Sequence, residues 1–201
     1  MLDNARATCA LLGAAAALGL LLTPEVADAQ PMAVKIEKFA HAGSGCPAGT
    51  VGAVLDQENN LLTVNFDNFA AKLPPGESKD CKLSFVVSVP SQLQISMNRV
   101  EYVGYHDMEP GIIGTLSRTY KYGNNAPLPP VKTEFKSTDV NEFDVVDRFP
   151  GWSVCTKAVT VNANTRIDLH GTPSPGVTSE LVVDTIQYDT ALVFSFAVRQ
   201  C

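Results

Sequence analysis

The stretch from Cys81 to His106, CKLSFVVSVPSQLQISMNRVEYVGYH, constrains the fold more than any other part of the chain. Leu83, Phe85, Val87 and Val89 fall on one side of an extended backbone, with Lys82, Ser84 and Ser88 on the other. That period of two belongs to a strand with one buried face. Pro90-Ser91 interrupts the pattern, after which Leu93, Ile95 and Met97 resume it and Val100, Tyr102 and Tyr105 carry it on. The expectation is the central hairpin of an all-β core.

Other segments read the same way. An edge strand is expected over 33–39, where Val34, Ile36 and the stem of Lys38 alternate with Lys35 and Glu37. A hairpin is expected from 51–55 and 61–66, joined by the polar loop 56–60. A strand over 112–122 and two closing strands over 180–188 and 191–198 follow, the last with Leu192, Phe194, Phe196 and Val198 on one side. Segments 158–161 and 165–169 read as two strands divided by Asn162-Ala163-Asn164. Residues 67–80, with their Leu73-Pro74-Pro75-Gly76 breaker, read as a surface connection. Residues 123–130, GNNAPLPP, read as an exposed, mobile loop because prolines lack an amide donor. Residues 131–149 fit either a peripheral strand pair or a covering loop. Outside the N-terminus no long stripe of helical period occurs. The expected fold class is all-β: a disulfide-stapled antiparallel β-sandwich of roughly ten strands, jelly-roll or Ig-like, with little helix.

The N-terminus reads as an address and not as fold. Arg6 precedes an apolar run over 10–22, and Ala27-Asp28-Ala29 supplies the small residues of a peptidase site. Cleavage is expected after Ala29, leaving residues 30–201 as a single domain. The apolar run is too short to cross a bilayer core of ~30 Å, so no stable membrane anchor is expected. Cys9 precedes the run and would leave with it.

The formal charge is −6, of which the segment before Gln30 contributes a net −2 through Asp3, Glu25 and Asp28 against Arg6, leaving the remainder near −4. A mildly acidic chain without grouped Lys and Arg excludes phosphate neutralisation on the scale nucleic acids need. Cys46, Cys81, Cys155 and Cys201 remain after cleavage, an even set that reads as two disulfides in an exported chain. The pairing Cys46–Cys81 with Cys155–Cys201 is favoured because it avoids tying the two halves together. These cysteines are far apart, unlike the close knuckles of a zinc site, so no metal is expected there.

Several of these residues recur together. GSGCPAGTV at 43–51, LTVNFDNF at 62–69, CKLSFVVSVPSQLQIS at 81–96, YVGY at 102–105 and the late Cys155 and Cys201 follow one order. In that combination, which covers nearly the whole mature chain, the sequence resembles a family of small four-cysteine secreted proteins of fungi and bacteria, catalogued as domain of unknown function 4360. The resemblance implies an extracellular, β-rich protein and supplies no activity and no catalytic residues. Members of that family usually carry a tryptophan shortly before the last cysteine. This chain has FAVRQC at 196–201 instead, a departure in packing more than in chemistry.

The chemistry-bearing residues are few. The glycine-rich loop 43–49 lacks the Gly-Lys-Ser/Thr or dinucleotide spacing of a phosphate loop, and reads as a turn carrying Cys46. His41, His106 and His170 adjoin turns; His106 with Asp107 and Glu109, and His170 near Asp168, are the acid-base candidates. No G-x-S-x-G or comparable nucleophile accompanies them. Asp56, Glu58, Asn59 and Asn60 offer oxygens to calcium but lack the order of an EF-hand loop. Asp139, Glu142, Asp144 and Asp147 read as a solvated acidic face. Tyr102, Tyr105, Tyr120 and Trp152 are the candidate ligand-binding aromatics, with Tyr122 in the same cluster, against the alternative that they pack the core.

Two functions follow. The first is a secreted or cell-wall-associated non-catalytic protein, without cofactor, that binds an extracellular glycan or protein surface. The alternative is a secreted hydrolase or lyase using His106, Asp107, Glu109 and His170 at one end of the sandwich. A rigid proline-rich loop over 126–131 would also suit a protease inhibitor.

Overall fold

Twelve strands account for the alternating segments, and no helix occurs among the described residues, which in this computed structural model are 34–76, 78–123, 125–139, 141–183 and 192–201. In chain order they are β1 (Lys35–Ala42), β2 (Val51–Asp56), β3 (Leu61–Phe66), β4 (Ala70–Leu73), β5 (Ser78–Ser88), β6 (Leu93–Asp107), β7 (Ile113–Tyr122), β8 (Val131–Lys136), β9 (Glu142–Arg148), β10 (Ala158–His170), β11 (Ser179–Val182) and β12 (Leu192–Gln200). The expected signal segment, its cleavage point and the second half of the strand expected over 180–188 lie outside the described residues.

The strands form two antiparallel sheets. The first runs β1-β5-β10-β7-β8; the second runs β2-β3-β12-β6-β11-β4, with β9 also paired to β6. Alternation sends one face of each sheet inward: Leu83, Phe85 and Val87 from β5 are at most 2% exposed, as are Leu192 and Phe194 from β12. Phe85 meets Phe194 edge to face at 5.1 Å across the interface between sheets. Such a pair adds about 1 kcal/mol beyond the area it buries.

The 81–106 stretch is not a hairpin. β5 belongs to the first sheet and β6 to the second, so the turn through Pro90 and Gln92 carries the chain across the core. A hairpin and an arch demand the same inward-outward alternation, which is why the residues alone favoured the wrong one. β8 and β9 behave likewise: β8 pairs β7 and β9 pairs β6, on opposite sheets.

Three local expectations also change. Segments 158–161 and 165–169 are one strand, because Ala158–His170 pairs β5 along 158–168 and β7 along 161–170. A strand flanked on both sides satisfies its backbone whatever its side chains, so Asn162 and Asn164 do not break it. The connection 67–80 contains β4, whose Ala71 is fully buried. In β1 a register shift between Glu37 and Ala40, with Lys38 at φ +54°, turns Phe39 inward to stack on Phe85 at 6.1 Å. The alternation had assigned that place to Lys38.

Disulfides join Cys46 to Cys81 and Cys155 to Cys201, each within its own half of the chain. The first pair is buried and the second exposed. The 43–49 loop wraps the first: Gly45 N–H donates to the Asp80 carbonyl at 2.8 Å, and a Cβ on Gly43, at φ +144°, would strike that same carbonyl.

Candidate functional site

The acid-base candidates differ in burial and in partners. His106 is 1% exposed on β6, its ring 5.5 Å from that of Phe135. Asp107 and His170 are exposed. The Glu109 carboxylate accepts the Ser174 N–H at 2.8 Å and so holds the loop beyond β10. Among the described residues no group of three or more His, Cys, Asp or Glu is placed to hold a metal ion. His41 Nδ1 lies 2.9 Å from the Cys46 carbonyl, within the disulfide turn.

The acidic loops are similarly occupied. Asp56 accepts the Glu58 and Asn59 amides at 3.0 and 3.1 Å and the Asn59 side-chain amide at 2.6 Å. Those bonds, the Asn59 side chain first, hold its carboxyl below the usual carboxylate range. In the second group Asp147 is 7% exposed and belongs to the core, contrary to the expected solvated face.

Tyr102 and Tyr120 likewise belong to the core, 0% and 1% exposed, so neither can present a surface to a ligand. Their parity on β6 and β7 sends them between the sheets, where Tyr120 donates to Asp147 Oδ2 at 2.6 Å and lies 3.1 Å from the Tyr102 hydroxyl. Tyr102 in turn lies 2.9 Å from Thr165 Oγ1. Burial pushes the Tyr102 phenol up to about 12 and Tyr120 higher still. Tyr105 is half-buried on the opposite face of β6.

Trp152 differs. It is 37% exposed, and the Arg199 guanidinium sits 4.2 Å from its ring centroid. Pro150 and Gly151 lead to it from the end of β9 at Arg148. Its position is fixed by the next residue: Ser153 exchanges backbone and side-chain hydrogen bonds with Ile95, at 2.8 and 3.0 Å. Arg199 is itself held by Gln94 Oε1 at 2.7 Å.

Trp152 borders a hollow of about 250 Å³ together with Met97, Tyr122, Leu128, Phe149 and Asn125. Tyr122 ends β7, so its ring reaches the rim while its hydroxyl donates to the Ile95 carbonyl at 2.7 Å; burial raises its pKa. Asn125, Ala126 and Leu128, in the loop after β7, close one side. Leu128 is half-buried there, its N–H bonded to the Tyr120 carbonyl at 2.8 Å, so this loop is not simply exposed. A second hollow of about 500 Å³ adjoins the first, with Tyr122 and Asn125 lining both and Val154, Thr156, Val159 and Thr160 lining the second alone. The cleft could not be read from spacing, because it gathers residues from β6, β7, two loops and β10. The available signal was position: Tyr122 stands at a strand end, two residues beyond the buried Tyr120.

The family model described as "Domain of unknown function (DUF4360)" matches residues 32–201. An "Uncharacterized secreted protein" of Arthroderma benhamiae is 28% identical over 166 residues, which span 77% of this chain and 68% of that protein. Among solved structures, TmCBM61 in complex with β-1,4-galactotriose aligns over 81% of this chain and 88% of its own, at 15% identity and a TM-score of 0.31. Overlap that low carries no argument about a ligand. The secreted relative and the two disulfides place this protein outside the cell, where disulfides persist.

Proposed function

This chain belongs to the family described as a domain of unknown function (DUF4360) and, since that description assigns no chemistry, we propose from the cleft itself that it is a secreted, non-catalytic binding protein. Its recognition surface is the Trp152 cleft, and its ligand is an extracellular polymer, glycan or protein. The observation that carries this reading is Trp152 itself: a large aromatic ring left 37% exposed, held by Arg199 and Ser153, at the edge of an apolar hollow. An aromatic ring with an apolar body and fixed orientation is what binding surfaces use as an anchor. Val154, 78% exposed, extends that surface. The hydrolase alternative gains no comparable support, since His106 is buried and Glu109 is engaged by a backbone amide.

Trp152 is the only tryptophan in the chain, so its emission reports on this cleft alone. The oxidised protein is expected to be retained on native cell walls, with its emission shifted by solubilised wall material. Trp152→Ala should lose the retention. No retention on any wall preparation, or retention untouched by Trp152→Ala, would overturn the reading.

A further inference from the structure

We infer that the polymer taken by the Trp152 cleft is an uncharged polysaccharide, bound as an extended chain with one ring against the aromatic hollow and its neighbours along the polar one. The inference rests on the binding reading above and narrows it to a ligand class.

The first observation is charge. Asp, Glu, Lys and Arg make up 18% of the chain, yet among the described residues none of the sixteen that line the two hollows is one of them, nor is any a histidine. Among the described lining residues the one ionisable side chain is Tyr122, whose phenol burial keeps protonated at ordinary pH. An anionic or cationic polymer laid here would give up hydration without gaining a counter-charge from the lining, which weakens its binding. The guanidinium of Arg199 lies over Trp152 and bonds Gln94, outside the lining.

The second is shape. The two hollows adjoin at Tyr122 and Asn125, which line both, so a ligand that occupies both is elongated and not a single small molecule. The third is chemistry. One part is aromatic and aliphatic, with Trp152, Tyr122, Phe149 and Leu128; the other adds the exposed polar side chains Asn125 and Thr160. A pyranose ring has an apolar face of C–H groups and a rim of hydroxyls, and so requires both surfaces at once. A charged polypeptide segment would find no counter-charge among the described lining residues.

The test fractionates one cell-wall preparation into neutral polysaccharide, acidic polysaccharide and protein, each then used to displace the protein from intact walls and to shift Trp152 emission. The neutral fraction should displace it, at a concentration that changes less than twofold between about 0.05 and about 0.5 M salt, because no ion pair is screened. Displacement should also be flat between about pH 5 and about pH 9. Trp152→Phe should weaken it less than Trp152→Ala, which should weaken it tenfold or more. Thr160→Val, which keeps shape and removes a hydroxyl, should weaken it several-fold. Displacement by the acidic or protein fraction alone, or a tenfold loss across that salt range, would overturn the inference and leave the binding reading standing. A protein that never binds intact walls would instead remove the reading on which the inference rests.

Discussion

The guanidinium of Arg118 lies fork to fork on the carboxylate of Asp147, Nε to Oδ2 at 2.7 Å and Nη2 to Oδ1 at 3.1 Å, with the side chains only 1% and 6% exposed. Arg118 stands on β7 and Asp147 on β9, so the pair joins the two sheets. The remaining groups are satisfied too: Nη1 donates to the Leu116 carbonyl, Nη2 to Thr133 Oγ1, and Tyr120 donates to the same carboxylate. A buried pair so completely bonded is costly to break from one side, although replacing both partners with apolar groups is often neutral.

Asp147→Asn should therefore destabilise the protein by about 3 kcal/mol, because it leaves the Arg118 charge buried without its counter-ion. Denaturant unfolding measures this as a lower midpoint at unchanged slope. The double replacement Arg118→Met with Asp147→Leu should recover much of the loss. Unfolding of Asp147→Asn at the wild-type midpoint would show that the pair contributes nothing.

The two disulfides should separate under mild reduction. Cys155 and Cys201 are exposed, whereas Cys46 and Cys81 are 0% and 1% exposed, and thiol exchange requires access to the sulfur. Mass spectrometry of alkylated protein should find Cys155 and Cys201 modified first. Because Cys155 directly follows the segment that carries Trp152 and Ser153, the same partial reduction should weaken wall retention before the protein unfolds. Simultaneous loss of both bridges would contradict this ordering.

Stability should also carry a small pH term from the outer face of the second sheet. Burial first, and then the neighbouring Asp144 carboxyl, raise the Glu101 carboxyl, against the opposing pull of Arg99 at 2.6 Å. A carboxyl raised on folding binds its proton more tightly in the native state. Its contribution is complete below the unfolded value of about 4.3 and is lost as pH rises through the folded one. Asp144→Asn removes two of the causes, so the Glu101 titration midpoint, followed by NMR, should fall. Neutral-pH stability should rise by a few tenths of a kcal/mol, the scale of partly exposed charge interactions. A midpoint that stays where it was would leave burial as the whole cause.

Much of the strand layout was legible from local pattern. The 51–56 and 61–66 hairpin, the closing strand with Phe194 and Phe196 inward, and the all-β class follow from period two and turn residues, which each segment carries by itself. Partner choice was not legible. β5 and β6 satisfy their alternation equally well in one sheet or two, and Asn162 and Asn164 look like a break until strands on both sides accept them. The site suffered more from the same cause. Tyr102, Tyr120 and Trp152 are alike as aromatics in sequence, and nothing in their spacing says that two face the opposite sheet and the third the solvent.

By itself, then, the chain's local chemistry determined which segments extend and which faces turn inward, because these depend on neighbours within a few residues, and an even set of four cysteines in an exported chain pointed to two bridges. Which sheet each strand joins, that Asp147 is a buried partner and not part of a solvated face, and that Tyr122, Phe149 and Trp152 meet in one uncharged cleft were decided only by the tertiary structure. Those outcomes depend on which distant segment supplies the missing backbone partner, counter-charge or apolar wall.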